Sequence, residues 1–256
     1  MAGRILYAGD TSLTTAGSYL AGILNHYGLP FDYVPSTQPI APTLAAGEHA
    51  LYILSDYPVN KVRPADFDAI LTAVRGGAGL LMIGGWESFH GLAGEYHKSP
   101  LAEALPVVMQ ASDDRVNCGQ PCIVEKLCDH TILAGLPFDR PPTIGGYNRV
   151  TAKPDATTVL AARHVEIVAR PPSCEGGGEY GFTLGLAYPL LVLGGFGRGR
   201  TAAFTSDVAP HWIGSFVDWG ARRLTARAPG GETIEVGNDY AEFFARLVKW
   251  AIGNAS

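Results

Sequence analysis

The chain has 256 residues, with 19 Lys and Arg against 24 Asp and Glu, a formal charge of −5. Hydrophobic residues make up 47% and charged residues 17%, which excludes an intrinsically disordered chain, and no Lys/Arg cluster offers an extended nucleic-acid face. No apolar run reaches the roughly 18–20 residues that cross a bilayer, and Met1-Ala2-Gly3-Arg4 leads into a strand-like segment without a secretory h-region. The expectation is a soluble, cytoplasmic protein with neither membrane nor nucleic acid as partner. At roughly 150 residues per domain the length suits one large domain or two small ones. No linker divides it, so residues 1–256 are read as one domain.

Arg4 to Ala8 is a short apolar run ending at Gly9-Asp10-Thr11, the pattern of a buried parallel strand. Thr14 to Tyr27 is predicted to be a helix, with Tyr19, Leu20, Ile23, Leu24 and Tyr27 recurring at helical spacing and Gly28 past its end. Phe31 to Val34 and Ala50 to Leu54 are the second and third strands. Pro64 suits the first turn of a helix to about Val74, with Phe67, Ile70, Leu71 and Val74 inward. Gly79 to Ile83 is a fourth buried strand that stops at Gly84-Gly85-Trp86. Strands alternating with helices predict a parallel sheet with right-handed crossovers.

The middle is less regular. Val107 to Val116, Ile123 to Leu127 and Tyr147 to Ala152 read as antiparallel or edge strands. Thr157 to Ala162 and Val165 to Ala169 read as a hairpin, and Pro171 to Gly181 as an exposed loop. Leu190 to Leu193 and Thr201 to Thr205 flank a glycine-rich turn. Asp239 is expected to cap a last helix through about Ile252, with Phe243, Phe244, Leu247, Val248 and Ile252 inward. Four cysteines are too few for a disulfide framework in a chain of this size. Cys118, Cys122, Cys128 and His130 carry zinc-ligand chemistry. They form one loose cluster without the second pair of a zinc ribbon, so they read as reduced thiols in a loop and adjoining strand. No metal and no other cofactor is expected.

In an open parallel sheet the ligand crevice lies beyond the C-terminal ends of the strands. That rule selects Asp10 and Thr11 after the first strand, then Ser55, Asp56 and Tyr57 after the third. It also selects Gly84 to His90 after the fourth, and Ser206, Asp207, Pro210, His211 and Trp212 after the late one. An imidazole such as His211 can act as general acid or base near neutral pH, with Asp207 or Glu87 to orient it. Trp86, Trp212 and Tyr147 offer flat apolar faces with polar edges, suited to a sugar ring. Asp10, Gly84, Gly85 and Asn148 complete the expected binding set. The blander reading makes Asp10 and Asp56 turn formers, and has Trp86 and Trp212 close the core. His164-Val165-Glu166 has His-x-Glu spacing and reads as a surface strand.

The segments Gly76 to Phe89, Leu101 to Val107, Gly145 to Asn148 and Thr205 to Trp212 together resemble the glutamine-amidotransferase-like family of class I type. More distantly, His130 to Pro137 is similar to the His-Pro-Ile-x-x-Gly-Leu-Pro stretch of ThuA-like (trehalose-utilisation) proteins. The resemblance is collinear over nearly the whole chain. It implies a flavodoxin-like three-layer α/β sandwich with a mainly parallel sheet and added antiparallel strands, and it implies homo-oligomers. True class I amidotransferases carry a nucleophilic Cys in a Gly-x-Cys-x-Gly elbow, with a His-Glu pair from a late strand. Here the elbow reads Gly84-Gly85-Trp86-Glu87, and the late strand leads to Pro210-His211-Trp212. Thioester glutaminase chemistry is therefore not expected. Ser88 with His211 and Asp207 names a serine triad, but Ser88 lacks a Gly-x-Ser-x-Gly elbow.

Three readings stay open. In the first, the chain acts on a carbohydrate or related small metabolite by acid–base chemistry through His211. In the second it is a catalytically silent small-molecule-binding or regulatory module. In the third, His211 with Asp207, Asp10 or Glu87 assists a metal-dependent hydrolysis.

Overall fold

The short apolar runs that end in glycine or serine become the centre of a sheet. The computed structural model describes residues 3–170 and 179–253. Its first half runs β1 (Ile5–Gly9), α1 (Gly17–His26), β2 (Phe31–Val34), α2 (Ala41–Ala46), β3 (Leu51–Ser55), α3 (Pro64–Arg75) and β4 (Gly79–Ile83). The middle runs α4 (Leu101–Ala104), β5 (Val107–Met109), β6 (Arg115–Lys126), β7 (Thr143–Asn148), β8 (Val150–Ala152) and β9 (Thr157–Arg170). The end runs β10 (Glu179–Phe196), β11 (Gly199–Phe204), α5 (Pro210–Ile213), β12 (Arg223–Arg227), β13 (Thr233–Gly237) and α6 (Asn238–Ile252).

Among the described residues nine strands share one sheet, ordered β2-β1-β3-β4-β11-β10-β9-β6-β7. The first five are mutually parallel and the remaining pairs antiparallel. Strand side chains alternate between faces, so each buried strand feeds two cores. Ile5, Tyr7, Leu51, Ile53, Leu81 and Ile83 pack with α1 and α6 on one face. Leu6, Ala8, Tyr52, Leu54, Leu80 and Met82 pack with α3 on the other. At about 1.5–3 kcal/mol for each large apolar side chain, this two-sided burial holds the parallel strands in register. It is the flavodoxin-like three-layer arrangement. Among the described residues no helix is long and apolar enough to cross a membrane.

Several elements differ from the sequence reading. Helix α1 begins at Gly17, because Ser12 and Thr15 fold the preceding residues into a turn and Asp10 and Ser12 carbonyls accept the Gly17 N–H at 2.8 and 3.1 Å. Val107 to Val116 is not one strand: Val107–Met109 pairs with β8 in a separate ladder, while Arg115 starts the long β6. The predicted hairpin within 157–169 is instead one continuous strand. Its partner is β10, so Val165 faces Leu184 and Arg163 faces Ala187. Of the predicted loop at 171–181, Glu179, Tyr180 and Gly181 lie in β10, and residues 171–178 lie outside the described residues. Gly237, not Asp239, precedes the first turn of α6. The neighbouring Asn238 Oδ1 takes the Arg222 N–H at 2.8 Å, which fixes where that helix starts and leaves Asp239 one residue inside it.

Candidate functional site at the strand ends

Two parallel strands end in the same way. β1 runs through Gly9 into Asp10 and Thr11, with φ of 50° and 62°, and β3 runs through Ser55 into Asp56, with φ of 45°. L-residues avoid this left-handed region, Asp less than most. Strained backbone of this kind gathers where a site over-determines it. The ties are visible. Asp10 N–H donates to the Ser55 carbonyl at 2.8 Å. Ser36, beyond β2, accepts from Thr11 N–H at 3.0 Å and donates to the Asp56 carbonyl at 3.1 Å.

The turn after β4 is built around Asp56. Its Oδ1 accepts the Glu87 N–H at 2.5 Å, and its own N–H donates to Ser88 Oγ at 3.0 Å. Gly85, at φ 154°, must be glycine, since a Cβ there would come within 2.6 Å of the Asp56 carboxyl. Buried Asn148 clamps the same turn: its Oδ1 takes Gly85 N–H at 2.9 Å, and its Nδ2 donates to Gly85 O at 3.1 Å and Asp114 Oδ1 at 2.8 Å. Ser88 is buried, donating to the Ile83 carbonyl at 2.5 Å. It is a structural hydroxyl rather than a nucleophile.

Four carboxyls meet at this corner, from β1 (Asp10), β3 (Asp56), β4 (Glu87) and β11 (Asp207). Burial pushes the Asp10 carboxyl well above the usual carboxylate range, and the charge of Asp207 adds to it, against hydrogen bonds from Tyr7 and Ser55. Asp207 is pushed up to about 7 by burial and then by Asp56. It reaches that value although its Oδ1 accepts N–H groups of Val208 and Ala209 at 2.5 and 3.1 Å. Asp56 is raised by burial, and Glu87 by burial and then by Asp56. Carboxyls that repel one another in a poorly solvated corner hold protons at a pH where exposed ones release them.

Above the corner stands Trp86, 43% exposed. The Arg115 guanidinium lies 4.5 Å from the centre of its ring, held there by Asp113 at 2.9 and 2.7 Å. The exposed His211 ring lies 6.4 Å from the Trp86 ring. The structure thus brings Trp86, Glu87, Asp207 and His211 to one edge of the sheet, whereas Asp10, expected to bind substrate, is only 1% exposed, with its two carboxyl oxygens taken by Tyr7 and Ser55.

Other expected binding residues are used internally. Trp212 is only 1% exposed: it packs against Gly146 and donates to Asn117 Oδ1 at 2.8 Å, so it offers no open face. Tyr147 is buried, stacked on Tyr188 at 5.6 Å with its hydroxyl 2.8 Å from His164 Nε2. Asn148 and Gly84 shape the turn rather than reach outward. Of the three aromatic platforms, Trp86 remains. Ser36, Asp114 and Arg115 also shape the site, beyond the residues expected from sequence. Ser36 follows β2 and falls under the strand-end rule, but Asp114 and Arg115 reach the site through antiparallel pairing that carries no such signal. Grooves of about 530 Å³ (Arg4, Asn25, Asp32), 560 Å³ (His130, Gly135) and 310 Å³ (Glu125, Arg163) lie elsewhere on the molecule. What marks the strand ends is charge and backbone strain.

Comparison with known proteins agrees with this architecture. Two cytoplasmic proteins of Salmonella typhimurium are similar at 24% identity: one covers 96% of this chain and 98% of its own at a TM-score of 0.71, the other 97% and 99% at 0.70. A ThuA-like protein of Bacteroides uniformis is similar at 13% identity and a TM-score of 0.56, over 99% of this chain and 92% of its own. At these identities the likeness is one of fold. No curated protein matches. The family model described as "putative glutamine amidotransferase" matches residues 49–225, from just before β3 into β12, and the chain belongs to that glutamine amidotransferase-like family.

Proposed function

We propose that the chain is an enzyme that moves protons on a small polyhydroxylated metabolite, a carbohydrate or a close relative, at the corner between Trp86 and His211. The observation that carries this reading is the convergence of four carboxyls, Asp10, Asp56, Glu87 and Asp207, on strand ends with strained backbone at Asp10 and Asp56, where burial and then Asp56 push Asp207 up to about 7. A group poised near the working pH is both a competent acid and a competent base. His211 is the second proton carrier at the mouth, and Glu87 the group best placed on the β4 turn to hold a substrate hydroxyl. Trp86, backed by Arg115, supplies the flat face on which a sugar ring stacks. A thioester route has no support, because the position that would carry its cysteine is the Gly84-Gly85-Trp86-Glu87 turn. Self-association with a second copy fits the exposed apolar residues Tyr180, Phe182, Leu184 and Leu186 on β10, each 67–70% exposed.

The test is a thermal-shift screen of sugars, sugar acids and amides, glutamine included, against wild type, His211→Ala and Asp207→Asn, followed by turnover assays on any compound that stabilises. The reading expects a compound class that stabilises wild type and is turned over with a pH dependence that Asp207→Asn flattens. Stabilisation without turnover in wild type would instead make the corner a binding module. No stabilisation by any class would remove the small-molecule reading.

A further inference from the structure

A second donor cluster lies in the antiparallel half, where linear spacing does not reveal it. β6 pairs with β7 through Asn117–Gly146 and Cys122–Ile144, so four residues of β6, Cys118-Gly119-Gln120-Pro121, stand against the single Gly145. This wide bulge folds the strand back on itself and brings Cys118 Sγ to 3.3 Å from Cys122 Sγ. On its other side β6 pairs with β9 through Ile123–Arg163, which sets His164 level with Cys122. The three side chains then converge: a ligand atom of each lies within 4.8 Å of the other two.

We propose that Cys118, Cys122 and His164 bind one borderline-soft divalent cation, zinc by preference. Two thiolates and a neutral imidazole balance a divalent charge, and the absence of carboxylate or carbonyl donors from the set selects against magnesium and calcium. Two Zn–S bonds of about 2.3 Å at a tetrahedral angle set their sulfurs about 3.8 Å apart. The observed separation asks for a shift of a few tenths of an ångström. The Tyr147 hydroxyl, 2.8 Å from His164 Nε2 and anchored by the ring's stacking on Tyr188, fixes the imidazole as outer partners of metal ligands do. Cys122 is buried, while Cys118 and His164 are half-buried. The site is therefore closed at its base and open at its mouth, and three protein ligands leave a fourth position for water or an incoming molecule. It is also joined to the strand-end corner: Trp212, next to His211, donates to Asn117, next to Cys118. Cys128 and His130 take other partners, the Thr158 carbonyl at 3.9 Å and the Trp250 ring at 5.8 Å.

Titration of the reduced full-length chain with Zn²⁺ and with Co²⁺ as a spectroscopic substitute tests this. One equivalent of Co²⁺ should give a thiolate-to-cobalt charge-transfer band and the visible bands of a tetrahedral site, and one Zn²⁺ should displace it. Cys118→Ser and His164→Gln, both at half-buried positions, should each lose stoichiometric binding while keeping the wild-type circular dichroism. Tyr147→Phe should weaken binding about 10–100-fold, and Cys128→Ser should bind as wild type. Failure of the reduced protein to bind one metal would overturn the proposal, as would binding that survives both ligand substitutions. So would a protein that binds no metal after reduction and whose air-oxidised form is two hydrogens lighter, the loss mapping to the Cys118–Cys122 peptide.

Discussion

The two halves of the sheet are held by different physics. In β1, β3 and β4 every residue is buried, and the strand is defined by an apolar run with a helix layer on each side. In β6 burial is mixed along twelve residues, and in β9 and β10 the strand limits follow from pairing with a neighbour rather than from any pattern in the chain itself. The strands buried on both faces deliver strained carboxyls to one edge. The antiparallel strands instead carry bulges and register shifts, and with them residues such as Arg115, Asn117 and His164 that reach across from a distant part of the sequence.

The sharpest test of that difference is steric. Gly9 has φ of 123°, and a Cβ there would meet the Ser55 carbonyl at 1.6 Å, so β1 and β3 could not keep their pairing. Gly9→Ala should cost about 4 kcal/mol or more, the range of severe backbone conflicts, and chemical denaturation would measure it. A loss below about 1 kcal/mol would mean that the strand ends yield. The next effect is core volume. Leu81, fully buried in β4, should cost about 2–5 kcal/mol as Leu81→Ala, with the denaturant midpoint moving and the slope unchanged.

These same features explain what was legible in advance. Ile5, Leu6, Tyr7 and Ala8 could be read as a buried strand because both faces demand apolar residues. The strand-end rule then pointed to Asp10, Trp86, Glu87 and Asp207 without any knowledge of distances. Trp212 and Tyr147 are not the binding platforms expected, because an aromatic that closes a core and one that faces a ligand look alike in sequence. Trp212 is buried against Gly146 of β7, and Tyr147 against Tyr188 of β10. In sequence His164 reads as surface and Cys122 as a loop thiol, because the bulge at 118–121 is invisible until β7 and β9 are paired on either side of β6.

A third prediction concerns pH. The native Asp207 carboxyl keeps its proton up to about pH 7, whereas in the unfolded chain it releases it near 4. Between those values the folded form binds more protons, so stability falls as pH rises through this window and the fall is complete above it. Asp10, Asp56 and Glu87 are raised too and act with the same sign. His97 and His130, held below the usual imidazole range by burial, act with the opposite sign, so the test is a difference: from pH 4 to 8 the melting temperature of wild type should fall relative to that of Asp207→Asn. Equal slopes would show that Asp207 is not the group concerned.

A smaller effect is expected from ion pairs in the antiparallel half. Arg163 on β9 binds Glu125 of β6 through two nitrogens at 2.7 and 3.0 Å and donates to the Gly185 carbonyl at 2.9 Å. Because the pair is half-buried and bridges three strands, Arg163→Ala should cost about 1 kcal/mol, near the upper end for such pairs. The more exposed Arg223, paired with Asp218 and Glu235, should cost less than Arg163 when replaced by alanine, because solvent screens its pairs. If the two costs are equal, position in the sheet does not matter to ion pairs here.

The smallest effect on the isolated chain falls on β10. Phe182 is 69% exposed, so replacing it removes little buried surface, and Phe182→Asp should leave stability within about 0.5 kcal/mol. Its consequence should lie elsewhere. Tyr180, Phe182 and Leu184 alternate along the strand and so point the same way, forming an apolar row that a second copy of the chain could cover. A charge in that row should shift the protein toward monomer in sedimentation or size-exclusion experiments while Leu81→Ala, at matched folded fraction, does not. If Phe182→Asp destabilises the fold as Leu81→Ala does, β10 is packed like the parallel half. If instead it changes neither stability nor assembly, the row is not the surface on which copies meet.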